Sequence, residues 1–215
     1  LSLFDGSTAV NLHTIGTQLG QLTRRVEHAD ADLSQRLAQI FSLDQALPDF
    51  DPAMLELHNK GRDSVLQGLK LSRERPWSIE PKDAEESTTL ELIKDRTRAI
   101  LAEVENQRER IAASLKEYGF NKSPEMFEQA EKYCALEAAA CCVHMWAHNR
   151  EGLGEFFARG DWLVLSLERL LVKLGRRRTI LPREYEQRVA EELERLYSER
   201  RLFSVVPFRL ATEQK

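Results

Sequence analysis

Long apolar runs are missing from this chain. No stretch of about eighteen residues is apolar and free of charge, so no membrane-spanning helix is expected. Strand pairs joined by a hairpin turn are missing as well, which removes the usual signature of a sheet. Cysteine is scarce: Cys134, Cys141 and Cys142 make an odd count of three inside one helical pattern. Adjacent helical residues point in different directions, so no disulfide framework is expected and a reducing, cytoplasmic compartment fits best. Positive charge is not in excess either. Against 31 lysines and arginines stand 35 acids, a formal net charge of −4, which offers nucleic acid no general attraction.

What is present is helical patterning. With 42% apolar and 31% charged residues over 215 positions, the composition is that of a globular chain able to bury a sizeable core. The opening pattern of Val10, Leu12, Ile15, Leu19, Leu22 and Val26 predicts a helix from about Ser7 to His28. Beyond an acidic break at Asp30 and Asp32, Leu33, Leu37, Ile40, Phe41 and Leu43 predict a second. Met54, Leu55, Val65, Leu66, Leu69 and Leu71 suggest shorter helices interrupted near Asn59 to Gly61. Arg75-Pro76-Trp77 to Pro81 reads as a linker, because two prolines in six residues stop helices on both sides.

The second half repeats more strictly. Leu90, Ile93, Thr97, Ile100, Val104, Ile111 and Leu115 recur at steps of three and four from Glu86 to Tyr118, with Gly119 as cap. Ser123-Pro124-Glu125 starts a helix that runs to Asn149. A third covers about Leu153 to Leu174 with Phe156, Phe157 and Trp162, and a fourth covers Arg183 to Arg200 with Tyr185, Val189, Leu193 and Leu196 inward. The fold class expected is all-α, with residues 81–215 an antiparallel four-helix bundle, residues 29–80 a helical connector and residues 1–28 a separate leading segment.

Three constellations carry chemistry. Glu137, Cys141, His144 and His148 share one helix face, and two histidines at i, i+4 can share a metal. The Glu-x-x-His pairing of di-iron bundles is absent, because position 141 is Cys and no copy stands on another helix, so the structural reading, histidines at the rim of a close helix contact, is preferred and no metal is assigned. Lys173, Arg176, Arg177, Arg178 and Arg183 form a basic patch that can meet a phosphate or an acidic surface, or can answer a helix dipole. Phe156, Phe157 and Trp162 with the apolar tail from Leu202 to Leu210 read as core, with a dimer contact as the other use.

The most informative run is Phe4-Asp5-Gly6-Ser7-Thr8-Ala9-Val10, continuing through Leu12, Ile15 and Leu19. On its residues alone it is a helix start, with Ser7 or Thr8 able to cap free N–H groups that also favour anions. It resembles the late segment of acyl-CoA dehydrogenases, an aromatic-Glu-Gly-Thr-Ser run that opens a helix. The resemblance implies that Asp5 is the catalytic base for the substrate's α-proton, that Gly6 lies against the substrate, and that Ser7, Thr8 and Ala9 touch FAD, which accepts hydride from the β-carbon. Leu193 to Leu210 is similar in its apolar pattern to the helical extension of very-long-chain members, and assembly proteins for natural products can carry a related one.

The family likeness implies a C-terminal piece of a flavin-dependent acyl thioester α,β-dehydrogenase. Its partners would be the rest of the dehydrogenase core, an acyl-CoA or acyl-carrier-protein substrate, and further copies in a homo-oligomer. FAD would belong to the complete protein and not to this chain alone. The alternative is a non-catalytic helical module that recruits a carrier protein or partner subunit.

Overall fold

The computed structural model describes residues 8–24, 30–44, 52, 63–118 and 124–201. They form an all-α protein with eight helices: α1 Thr8–Leu22, α2 Asp30–Phe41, α3 Ser64–Ser72, α4 Ala84–Tyr118, α5 Pro124–Asn149, α6 Glu155–Arg159, α7 Asp161–Lys173 and α8 Arg183–Ser198. A 3-10 turn, Arg75–Ser78, lies where two prolines were read as a linker. Among these residues there is no strand, and no helix is long and apolar enough to cross a membrane.

The organising element is α5, on which α1, α2, α3, α4, α6 and α7 all pack. Its composition explains why. Ala130, Ala135, Ala139 and Ala140 are buried, so neighbouring helices approach closely from several sides at no cost in helix propensity. Leu136, Val143 and Trp146 fill the spaces between, and Ile93 and Ile100 of α4 with Leu163 and Leu167 of α7 close the core. Each such side chain contributes about 1.5–3 kcal/mol by leaving water. One core takes in Leu19 of α1 and Leu66 and Leu69 of α3 together with the later helices.

α1 is held by close approach. A Cβ on Gly16 would stand 2.8 Å from Met126 Cγ, and one on Gly20 would stand 2.7 Å from Leu115 Cδ1, so a larger residue at either place would make these side chains shift. α1 ends at Leu22, where the Thr23 N–H donates back to Leu19 O and the Arg24 N–H to Gln21 O. It is shorter than the apolar pattern through Val26 suggested, and residues 25–29 lie outside the described set.

The third helix expected in the second half is two helices. Gly160 sits at φ 81° between α6 and α7, a left-handed conformation that costs glycine least. A Cβ there would lie 2.7 Å from Ile93 Cδ1. The indole N–H groups of Trp146 and Trp162 donate to Ala158 O at 3.1 Å and Phe157 O at 3.2 Å, so carbonyls freed at the break are answered by tryptophan. Phe157 and Trp162 are core residues with ring centroids 5.0 Å apart.

α4 starts on a reciprocal cap. Asp83 Oδ1 accepts from the Glu86 N–H at 2.7 Å, and Glu86 Oε2 accepts from the Lys82 N–H at 2.6 Å. α8 meets α7, so its buried face is narrow: Tyr185 and Leu196 are buried, Val189 is half-buried, and Leu193, expected inward, is exposed.

Candidate functional site

Asp5, Gly6 and Ser7 lie outside the described residues. Thr8 and Ala9 form the first turn of α1 and are exposed, as are Val10 and Asn11. Beside this turn a groove of about 860 Å³ runs between α1, α5 and the end of α7. Leu12, Ile15, Ala138 and Leu170 give it apolar walls, while Thr8, Glu131, Lys132 and Lys173 supply polar groups. Lys132 is tied to Glu128 at 2.5 Å, and that ammonium holds the Glu128 carboxyl below the usual carboxylate range.

This groove does not fit FAD by itself. No aromatic side chain lines it to lie against an isoalloxazine, and Glu128 and Glu131 face any pyrophosphate with negative charge. What α1 offers is limited to its first-turn N–H groups and the Thr8 hydroxyl. No chemical step is assigned to a flavin on these residues.

The densest chemistry lies elsewhere, in the seam between α3 and α5. Asp63 caps α3, its Oδ1 accepting from the Val65 and Leu66 N–H groups at 3.0 Å each. Its other oxygen accepts from the Tyr133 hydroxyl at 3.0 Å. Burial pushes the Asp63 carboxyl upward, and burial with the Asp63 charge pushes Tyr133 upward too. One turn along α5 is Glu137, raised to about 8 first by burial and then by the Asp63 carboxylate. Glu137 Oε2 is buried without a hydrogen-bond partner. Cys141 follows on the same face, its thiol driven up to about 11 by burial and by Glu137.

His144 completes the seam. It is fully buried, not at the rim as expected. A carbonyl can only accept, so the 2.8 Å contact with Val65 O puts the proton on Nε2, and Nδ1 accepts from the Ser72 hydroxyl at 2.7 Å. Burial drives the ring down to about 4, so it is neutral at physiological pH. With both nitrogens committed, His144 has no lone pair for a metal. His148, paired with it at i, i+4 in sequence, instead stacks on Phe41 at 6.4 Å. Among the described residues no group of three or more His, Cys, Asp or Glu side chains is set to hold a metal. A hydroxyl hydrogen-bonded to an imidazole is the geometry of an activated nucleophile, yet Ser72 is itself buried, and it lines neither the α1–α5 groove nor the groove between α7 and α8.

The basic patch divides. Arg176 reaches Glu103 at 3.2 Å, and Arg178 reaches Glu186 at 3.6 Å. Arg169 and Arg183 have no acidic partner among the described residues, and they border a second groove of about 780 Å³ between α7, the 174–182 loop and α8.

Sequence reasoning missed the partners that give these residues their roles. Asp63 before an apolar run is a legible cap signal. The docking glycines, Gly16 and Gly20, show as an i, i+4 pair. Nothing local announces that Ser72 would meet His144 or that Asp63 would meet Tyr133, since each pair is separated by 70 or more positions. In comparisons with known proteins, no family model, curated protein or solved structure matches this chain.

Proposed function

We propose that this chain forms the end of a flavin-dependent acyl thioester α,β-dehydrogenase, followed by a helical extension that packs on the dehydrogenase core or on a second copy. The carrying observation is the run Phe4-Asp5-Gly6-Ser7-Thr8, which meets α1 at its first residue. Support comes from the way α1 is fixed: Gly16 and Gly20 let the helix that begins at Thr8 lie close against Met126 and Leu115. Such fixing matters to a base, because a displacement of about 1 Å can cost a hundredfold in rate.

In this reading Asp5 removes the substrate's α-proton, Gly6 lies along the thioester, and Ser7, Thr8 and Ala9 edge the flavin, which the rest of the core holds. FAD, when bound there, supplies the electron acceptor. Substrate is an acyl-CoA or an acyl carrier protein conjugate. The compartment is reducing, the cytoplasm, where the free thiols of Cys134, Cys141 and Cys142 persist. The exposed apolar residues Ile40 and Leu43 suit a packing surface for a homo-oligomer.

The test is Asp5→Asn in the complete protein, assayed with an acyl thioester and an artificial electron acceptor while flavin absorbance near 450 nm is followed. Activity should fall by about a thousandfold or more with flavin retained. Unchanged turnover removes Asp5 from catalysis. It would favour the second reading, a helical module that recruits a partner, for which the arginine-bordered α7–α8 groove speaks.

A further inference from the structure

We propose that the groove between α7 and α8 docks one helix of a small acidic carrier protein, its apolar seam on the groove floor and its carboxylates on an arginine rim. The floor is apolar and partly open: Leu165 and Val172 line it, and Val172 is 40% exposed. Ile180 stands on the rim at 95% exposure, the most exposed large apolar residue described. An isoleucine held wholly in water gains nothing for this fold and is ready to bury against a partner.

Around that floor stand three guanidiniums from three elements: Arg169 on α7, Arg178 on the connecting loop and Arg183 at the start of α8. This placement runs against local stability. A cation in the first turn of a helix opposes its dipole, and the other charges there, Glu184 and Glu186, are acids, as the dipole favours. Elsewhere the half-buried arginines are given to carboxylates: Arg96 to Glu168, Arg150 to Glu86, Arg188 to Asp161. Arg169 and Arg183 are left to solvent, and Arg178 has only its 3.6 Å contact with exposed Glu186. Glu168 and Glu186 also line the groove, but Glu168 is taken by Arg96, so three arginines stand against one exposed acid. In a chain of net charge −4 this is a local positive excess, which selects a negative partner and speeds its arrival.

The geometry favours a helix over a bare phosphate. A phosphate needs donors converging on one point, and the N–H of Thr179, which lines the groove, is already given to Glu168 Oε1 at 2.5 Å. Arginines spaced along an apolar trough match the ridge of an acidic amphipathic helix. The choice of a carrier protein as its owner rests on the acyl thioester reading above.

The experiment uses the full chain and, as probe, an acyl carrier protein lacking its phosphopantetheine arm, titrated by calorimetry at about 50 mM salt, where screening is weak. Micromolar binding is expected. The pair Arg169→Glu with Arg183→Glu should weaken it about tenfold or more, and raising salt should weaken the wild type likewise. Ile180→Ser should weaken it several-fold at every salt concentration, while Arg177→Glu, outside this groove, should leave it within about twofold. All four side chains are exposed, so circular dichroism should show the fold intact in each variant.

No wild-type binding, or equal affinity in the pair reversal, overturns the proposal. So does a loss with Arg177→Glu as large as with the pair, which would mean diffuse charge attraction. Coenzyme A binding in place of the armless carrier assigns the arginines to a phosphate and overturns it too. Because the probe has no arm to dehydrogenate, its result stands whether or not Asp5 proves catalytic, and failure here leaves the Asp5 test untouched.

Discussion

Two regions of this protein bury polar groups, and they do so in opposite ways. In the seam between α3 and α5, Asp63, Tyr133, Glu137, His144 and Ser72 lie without a lysine or arginine among their hydrogen-bond partners. Around α4 and α7, each buried carboxylate has its arginine: Glu168 with Arg96 at 2.9 Å, Glu86 with Arg150 at 2.7 Å, and Asp161 with Arg188 at 2.8 Å through Nε and Nη2. The first solution leaves protons to decide whether the groups are charged. The second fixes charge with guanidiniums that do not lose their protons in proteins. Low-dielectric surroundings make both expensive to disturb, but only the seam should respond to pH near neutrality.

The largest effect is expected from breaking an ion pair. Asp161 is wholly buried at the start of α7, and its two oxygens take Nε and Nη2 of Arg188 in a fork. Arg188→Ala leaves only Arg159, at 3.5 Å, to answer that charge. Stranding a buried carboxylate typically costs about 3–5 kcal/mol. A shift in the denaturation midpoint of that order, independent of pH between about 6 and 8, would uphold the contrast. A loss below about 1 kcal/mol would mean the pair is no more than a surface contact.

Much of the ion-pair side was written in local signals. α4 and α5 follow from apolar steps of three and four closed by caps and proline, and the structure gives Ala84–Tyr118 and Pro124–Asn149 where the pattern gave Glu86 to Tyr118 and Ser123 to Asn149. The burial of Ile93, Ile100, Val104 and Ile111 follows from the same period. The break at Gly160 was not legible, because apolar residues continue through it and its cause is the nearness of Ile93 and Trp146 from other helices. The seam was half legible for the same reason. Glu137, Cys141 and His144 share a face by period alone, yet their partners Asp63 and Ser72 arrive from α3 and set the chemistry. The candidate base Asp5 rests on a likeness of sequence and falls outside the described residues.

A middle-sized effect should come from His144→Leu. The substitution roughly keeps the volume but strands the Ser72 hydroxyl and the Val65 carbonyl, for a loss of about 2 kcal/mol at pH 7. It should also change the acid limb. Burial lowers the His144 pKa from its ordinary 6.5 to about 4, so the folded state holds fewer protons in between. The stability this ring confers is therefore present above 6.5 and lost as pH falls toward 4. Thermal midpoints measured from pH 7 down to 4 should fall less steeply in the leucine variant. An equal slope would show that carboxylates elsewhere control acid unfolding.

Glu137 supplies the opposite limb, and with it the sharpest form of the comparison. Burial raises its pKa from 4.5 to about 8, so the folded state keeps a proton that the unfolded chain has released, and stability present below 4.5 is lost as pH rises through 8. Between 4.5 and 6.5 the two groups cancel: the folded seam holds one proton on Glu137, and the unfolded chain holds one on His144. Their joint contribution is a plateau in that window with a decline on either side. Glu137→Gln mimics the protonated acid in both folded and unfolded chain, so it should match the wild type near pH 4, be more stable than it already at pH 6, and be more stable still at pH 9, where the wild type must bury a charge. A variant that loses stability equally at pH 6 and pH 9 would mean the carboxylate is paired after all, and the seam would then belong with the ion-pair region it is contrasted with.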